Sequence, residues 1–168
     1  MSMVGFEEIG EFCYKEVSYL LLFMAKTLII FGSTGGNTEL VADKVAQVLK
    51  NAVVQRAEQT EIKDLEKYPV IIFASSTYGH GVLQKDFQPL YEKLKKVSFA
   101  GKKMAVIGLG DFKYELYYHM ESANILENLV KENGGELLMP PLRISKSPVP
   151  HLNSIVKKWA EKLAKKIK

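Results

Sequence analysis

The sequence predicts an α/β protein, a parallel sheet with helices on both faces. Two patterns predict it, together with the way they alternate. Thr27–Phe31, Val70–Ala74 and Met104–Gly108 are short, apolar and rich in β-branched residues, with no polar alternation. That is how strands buried on both faces read. Between and after them, apolar residues recur at three- and four-residue intervals, the stripe of an amphipathic helix.

Taken in order, residues 1–23 come first. They carry Glu7, Glu8, Glu11 and Glu16 against Lys15, and Val17–Phe23 is nearly all apolar. That run is too short to span a membrane. The segment is acidic where a secretory leader needs positive charge. Residues 1–23 are therefore expected to be an extension outside the fold, and residues 24–168 to form a single domain. Helix one is predicted over roughly Thr38–Lys50, from Val41, Val45, Val48 and Leu49. Val53–Ala57 reads as an edge strand, and Thr60–Tyr68 as a polar connection ended by Pro69. Phe87, Leu90, Tyr91, Leu94 and Val97 mark a second helix. Ala123, Leu126, Leu129 and Val130 mark a third, closed by Asn133-Gly134-Gly135. Glu136–Met139 and Leu142–Ile144, broken by Pro140-Pro141, read as one interrupted edge strand. Leu152, Ile155, Val156, Trp159, Leu163 and Ile167 mark the last helix.

In sheets of this kind ligands sit beyond the carboxyl ends of the strands. Three loops are predicted there. The first, Gly32–Thr38, joins strand to helix through Ser33-Thr34-Gly35-Gly36-Asn37-Thr38. A helix start leaves backbone N–H groups unpaired at the positive end of its dipole. With glycines for close approach and hydroxyls as extra donors, this makes a phosphate cradle without a cationic side chain. No lysine follows as in an NTPase P-loop, and the dinucleotide pattern G-x-G-x-x-G is absent. The cradle suits a monophosphate ester. The second loop, Ser75-Ser76-Thr77-Tyr78-Gly79-His80-Gly81, and the third, Gly108-Leu109-Gly110-Asp111-Phe112-Lys113-Tyr114-Glu115, each offer an aromatic ring. Tyr78 and Tyr114 are placed to sandwich a flat heterocycle.

From Lys26 onward the chain resembles the short-chain flavodoxins. Their S/T-x-T-G-x-T phosphate loop appears as Ser33–Thr38, with Gly35 where a threonine is usual. Ser76-Thr77-Tyr78-Gly79 resembles the loop on the inner flavin face, with tyrosine where tryptophan is frequent. Gly110-Asp111-x-x-Tyr114-Glu115 resembles the third loop, whose tyrosine covers the outer face. The resemblance implies a flavodoxin-like three-layer sandwich with a five-stranded parallel sheet of order 2-1-3-4-5. It implies FMN held by Ser33, Thr34, Gly35, Gly36, Asn37 and Thr38, by Ser75, Ser76, Thr77, Tyr78 and Gly79, and by Gly110, Asp111, Tyr114 and Tyr118. It also implies low-potential transfer of single electrons between redox enzymes, by a monomer in the cytoplasm. The flavin carries the redox chemistry and the protein tunes it. By the same resemblance, the peptide after Tyr78 flips so that the Gly79 carbonyl accepts a hydrogen bond from reduced flavin.

Composition narrows the alternatives. One cysteine, Cys13, excludes an internal disulfide framework, and three histidines without ligand spacing disfavour a zinc site. With only two arginines and no basic–aromatic motif, nucleic-acid binding is not expected. Residues 1–23 are net −3 and the remainder is net +7, first of all a lysine-rich solvated surface. Set against the acidic flavodoxins, it offers as the alternative electron-donating and electron-accepting partners with acidic faces. His80 stands where an acidic residue is common, and is expected to make reduction easier when protonated. A quinone or NAD(P)H reductase on the same fold is the alternative function. A receiver-type signalling domain lacks its acidic cluster here.

Overall fold

A computed structural model describes residues 27–79, 81–110 and 121–168. The expectations for residues 1–23 and for His80, Asp111, Tyr114 and Tyr118 lie outside these. Along the described residues run β1 (Thr27–Gly32), α1 (Asn37–Leu49), β2 (Ala52–Arg56), a 3-10 turn at Ala57–Gln59 and α2 (Ile62–Glu66). Then come β3 (Val70–Tyr78), β4 (Val82–Leu83), α3 (Gln88–Leu94), β5 (Lys103–Gly110) and α4 (Glu121–Glu132). The chain closes with β6 (Glu136–Leu137), β7 (Leu142–Ser145), a π-helical turn at Leu152–Val156 and α5 (Lys157–Ile167).

The parallel ladders run β2-β1-β3-β5, and both β6 and β7 pair with the far edge of β5. Their registers are consecutive: β6 meets Lys103 and Met104, and β7 meets Ile107 to Gly110. They are two halves of one edge strand, so the order 2-1-3-4-5 holds. The sheet nevertheless has seven strands rather than the five expected. Pro140-Pro141 cannot donate to a ladder and splits the edge. The chain after β3 also folds back as β4, pairing antiparallel at Thr77↔Leu83 and Tyr78↔Val82.

Successive strand residues face opposite layers, as the period of two requires. Leu28, Ile30, Ile71, Phe73, Met104 and Val106 pack with Phe87, Leu90 and Leu94 from the α3 segment and Leu126, Leu129 and Val130 of α4. Ile29, Phe31, Ile72, Ala74, Ala105 and Ile107 pack with Val41 and Val45 of α1 and Trp159, Ala160 and Leu163 of α5. These are the two cores of a three-layer sandwich. Contact is closest where α4 crosses β5: a Cβ on Gly108 would stand 2.5 Å from the Ala123 Cβ.

The stretch Thr60–Tyr68, expected to be a connection, contains α2. It is short, and its polar residues hide it from a periodicity reading. Ile62 and Leu65, three apart, are turned to the core. The Glu61 N–H donates to Asp64 Oδ2 at 3.0 Å, fixing the helix start.

The positive charge is segregated. From Lys157 to Lys168, six lysines stand against Glu161, a net +5 in a chain of net +4. All six are exposed on the outer side of α5, and one pairs with Glu161, Lys157 at 3.8 Å. Residues 24–168 are net +7, so most of the domain's basic surplus lies on this one flanking segment.

Candidate functional site

A cavity of about 300 Å³ opens at the carboxyl ends of β1, β3, β5 and β7. Ser33, Thr34, Gly35, Asn37, Thr38, Ser76, Thr77, Tyr78, Leu109, Gly110 and Lys146 line it. Residues that are distant in sequence meet there because parallel strands end on one edge.

The first wall is the loop between β1 and α1. Gly36, at φ +82°, takes the N-cap position, and no side chain caps the helix. The first intrahelical bond runs from the Leu40 N–H to the Gly36 carbonyl at 2.9 Å. The N–H groups of Asn37, Thr38 and Glu39 thus have no helical acceptor. A Cβ on Gly35 or Gly36 would meet nothing within 4 Å, so the loop is open toward the cavity. Ser33 Oγ accepts from the Gly36 N–H at 3.0 Å, and Thr34 Oγ1 accepts from Gln84 Nε2 at 3.0 Å. Because both oxygens act as acceptors, their own O–H groups remain to donate outward. A 13-residue helix with a free, donor-rich N-terminus, its first-turn Glu39 neutralised by Arg56, fits a phosphate monoester. Arg56 at the end of β2 is engaged elsewhere, 2.9 Å from Glu39 and 5.2 Å over the Phe31 ring.

The second wall is the end of β3. Tyr78 is 42% exposed at the cavity rim, a flat face open to a ligand. Gly79 has φ +51° with open space at its Cβ position, a backbone suited to glycine and free to reorient. Ser76 and Thr77 line the cavity, but Thr77 also ties down the neighbouring helix. Its Oγ1 bonds to Ser122 Oγ at 2.9 Å and accepts from the Ser122 N–H at 3.1 Å. Ser75, grouped with the site from sequence, is fully buried behind this wall. Its Oγ accepts from the Gln84 N–H at 3.2 Å and donates to the Ser76 carbonyl at 3.1 Å.

Two residues escaped the sequence reading. Gln84 is fully buried and organises the loops from beneath. Its Nε2 donates to Thr34 Oγ1 and, at 2.7 Å, to Asp86 Oδ2. Its Oε1 accepts from the N–H groups of Asp86 at 2.9 Å and Phe87 at 3.2 Å. Gly32, the last residue of β1, is glycine because a side chain there would collide with this amide. A polar residue directly after the apolar pair Val82-Leu83, two before Asp86, was the only signal. Lys146, just past β7, lines the opposite side of the cavity, and its N–H donates to the Gly110 carbonyl at 2.8 Å.

Fold and site together define an α/β protein with a cavity at the carboxyl ends of its parallel strands, beside a loop able to hold a phosphate ester. Residues 29–159 match the family model described as flavodoxin. The chain is 35% identical over 130 residues to "Probable flavodoxin 2" of Bacillus subtilis (strain 168), covering 74% of this chain and 85% of that one. It is 33% identical over 151 residues to a flavodoxin of Maridesulfovibrio salexigens, covering 86% of this chain and all of the other. Among solved structures, oxidised Flavodoxin 2 from Bacillus cereus superposes with a TM-score of 0.74 at 33% identity, over 85% of this chain and 97% of that one. A Fusobacterium nucleatum flavodoxin bound to flavin mononucleotide shares the fold at a TM-score of 0.70 and 16% identity, over 84% of this chain and 98% of that one. The chain belongs to the flavodoxin family. Its cofactor is accordingly FMN, and its class is electron carrier.

Proposed function

We propose that this chain carries single electrons between redox proteins, with FMN seated in the cavity at the sheet edge. The observation that carries this reading is the α1 N-terminus: uncapped, with its first-turn Glu39 paired to Arg56, and open beside an exposed tyrosine face. FMN supplies the one-electron chemistry when bound. The Ser33–Thr38 loop holds the phosphate dianion, with charge-assisted N–H and O–H donors worth roughly 1.5–3 kcal/mol each. Tyr78 covers one ring face. Gly79 offers its carbonyl to the reduced ring, and its freedom at φ +51° keeps that movement cheap. Ser76, Thr77 and Gly110 bound the pocket, and the family resemblance assigns further flavin contacts to Asp111, Tyr114 and Tyr118, which lie outside the described residues. The exposed lysines of α5 suit donors and acceptors with acidic faces.

Stepwise anaerobic reduction of the purified protein tests the reading. Flavin absorbance that is lost in two resolved one-electron steps is expected, with riboflavin binding the apoprotein at least about 100-fold more weakly than FMN. Equal affinity for riboflavin would remove the phosphate cradle from the argument. Rapid turnover of NAD(P)H with a quinone would replace the carrier with a reductase.

A further inference from the structure

Among the described residues, two that are not glycine occupy the left-handed region, Lys50 at φ +65° and Lys146 at φ +63°. Lys50 is accounted for, since its N–H bonds to the Ala46 carbonyl at 2.9 Å and closes α1. Lys146 closes no helix. It sits in a turn that glycine would take without strain, yet it carries a long cationic side chain. It is exposed, and among the described residues it makes no ion pair and is the one charged residue that lines the cavity.

Its place along the sheet separates two roles. The phosphate cradle follows β1, whereas Lys146 follows β7, three ladders away in the order β1-β3-β5-β7. At about 4.8 Å per ladder that is roughly 14 Å. Lys146 therefore stands at the ring end of the cavity, beside Gly110, rather than over the phosphate.

We propose that Lys146 is the cavity's own countercharge, stabilising the negative charge that the bound flavin gains with its second electron. The proposal rests on the FMN reading. In this step one electron arrives from a low-potential donor without a proton, and the flavin goes from neutral to a charge of −1. The lysine cation lowers the energy of that charge by proximity, and no bond forms or breaks.

The test compares the full-length holoprotein with Lys146→Gly and Lys146→Gln in an anaerobic dithionite titration at low and high salt. FMN affinity and urea stability are measured alongside. Both variants should hold the fully reduced flavin about threefold less tightly at low salt, the Coulomb factor for unit charges several ångströms apart in a watery site. At 59 mV per tenfold for one electron, the second potential falls by about 28 mV. High salt should shrink the difference. Oxidised FMN should bind within twofold of native, and Lys146→Gly should be at least as stable as native because its turn is relaxed. Second potentials equal to native in both variants would overturn the inference and leave the FMN reading intact. So would a tenfold loss of FMN affinity with unchanged potentials, which would place the lysine on the phosphate. A native chain that takes up no FMN would overturn the flavin reading and this inference with it.

Discussion

Replacing Gln84 with leucine removes a buried amide of similar size and tests whether the phosphate loop is held from below. Four side-chain bonds are lost, and they are unequal. The Phe87 N–H keeps the Gln84 backbone carbonyl at 2.9 Å, so that loss is small. Thr34 is exposed and can turn to water, which puts its bond at the low end of the usual range, about 0.5 kcal/mol. The Asp86 N–H loses its acceptor, costing about 1 kcal/mol, and the bond to the Asp86 carboxylate is charge-assisted, about 1.5 kcal/mol. The sum is about 3 kcal/mol. With a urea dependence of about 2 kcal/mol per molar, the unfolding midpoint should drop by about 1.5 M. FMN affinity should fall about tenfold as Thr34 loses its tether. Gln84→Glu sharpens the test. It keeps an oxygen for the Asp86 and Phe87 N–H groups but sets a second oxygen against Asp86 Oδ2. Burial and the like charge raise the new carboxyl's pKa in the folded state, so stability present at pH 5 is lost as pH rises toward 8. A midpoint shift below about 0.3 M for Gln84→Leu, with unchanged FMN affinity, would refute the idea that this amide organises the site.

Three further outcomes are expected. Gly108→Ala drives a methyl group to 2.5 Å from the Ala123 Cβ and 2.9 Å from its backbone nitrogen, so α4 must move off β5 at a cost of about 1–3 kcal/mol, read from urea unfolding. The Glu61 N–H, and then Lys67, hold the Asp64 carboxyl below the ordinary carboxylate range. Its stabilising effect is therefore complete above about pH 4 and fades as pH falls below that, so Asp64→Asn should flatten the melting temperature profile between about pH 5 and pH 2. A chain starting at Met24 should bind FMN within a few-fold of the full chain by fluorescence titration, whereas an unfolded product would assign residues 1–23 to the core.

The sheet and its layers were legible in the sequence because burial on both faces leaves a local mark. Thr27–Phe31 and Val70–Ala74 need no partner to read as strands, and Ser33–Thr38 needs only the strand before it and the helix after it to read as a phosphate loop. Even the broken edge strand was visible, since a proline interrupts a ladder wherever it stands. The helix Ile62–Glu66 was not, because five residues are too few for periodicity and its stability comes from Ile62 and Leu65 docking on the core. Ser75, Gln84 and Lys146 show the same limit at the site. The order of residues along the chain places Ser75 among ligands, but strand direction turns it inward to hold Gln84. Gln84 looks like any polar residue until Gly32, Thr34 and Asp86 close around it. Lys146 is more than thirty residues from every other described residue on the cavity wall, and only the parallel pairing of β7 with β5 brings it beside Gly110. Composition likewise gave a net charge without a location, which was decided when α5 packed its apolar stripe inward and turned its lysines out. Local pattern marks the buried strands and the amphipathic helices, and the loop whose composition suits an anion. The side chains that share a cavity are settled by strand order and direction, which arise from contacts between distant parts of the chain.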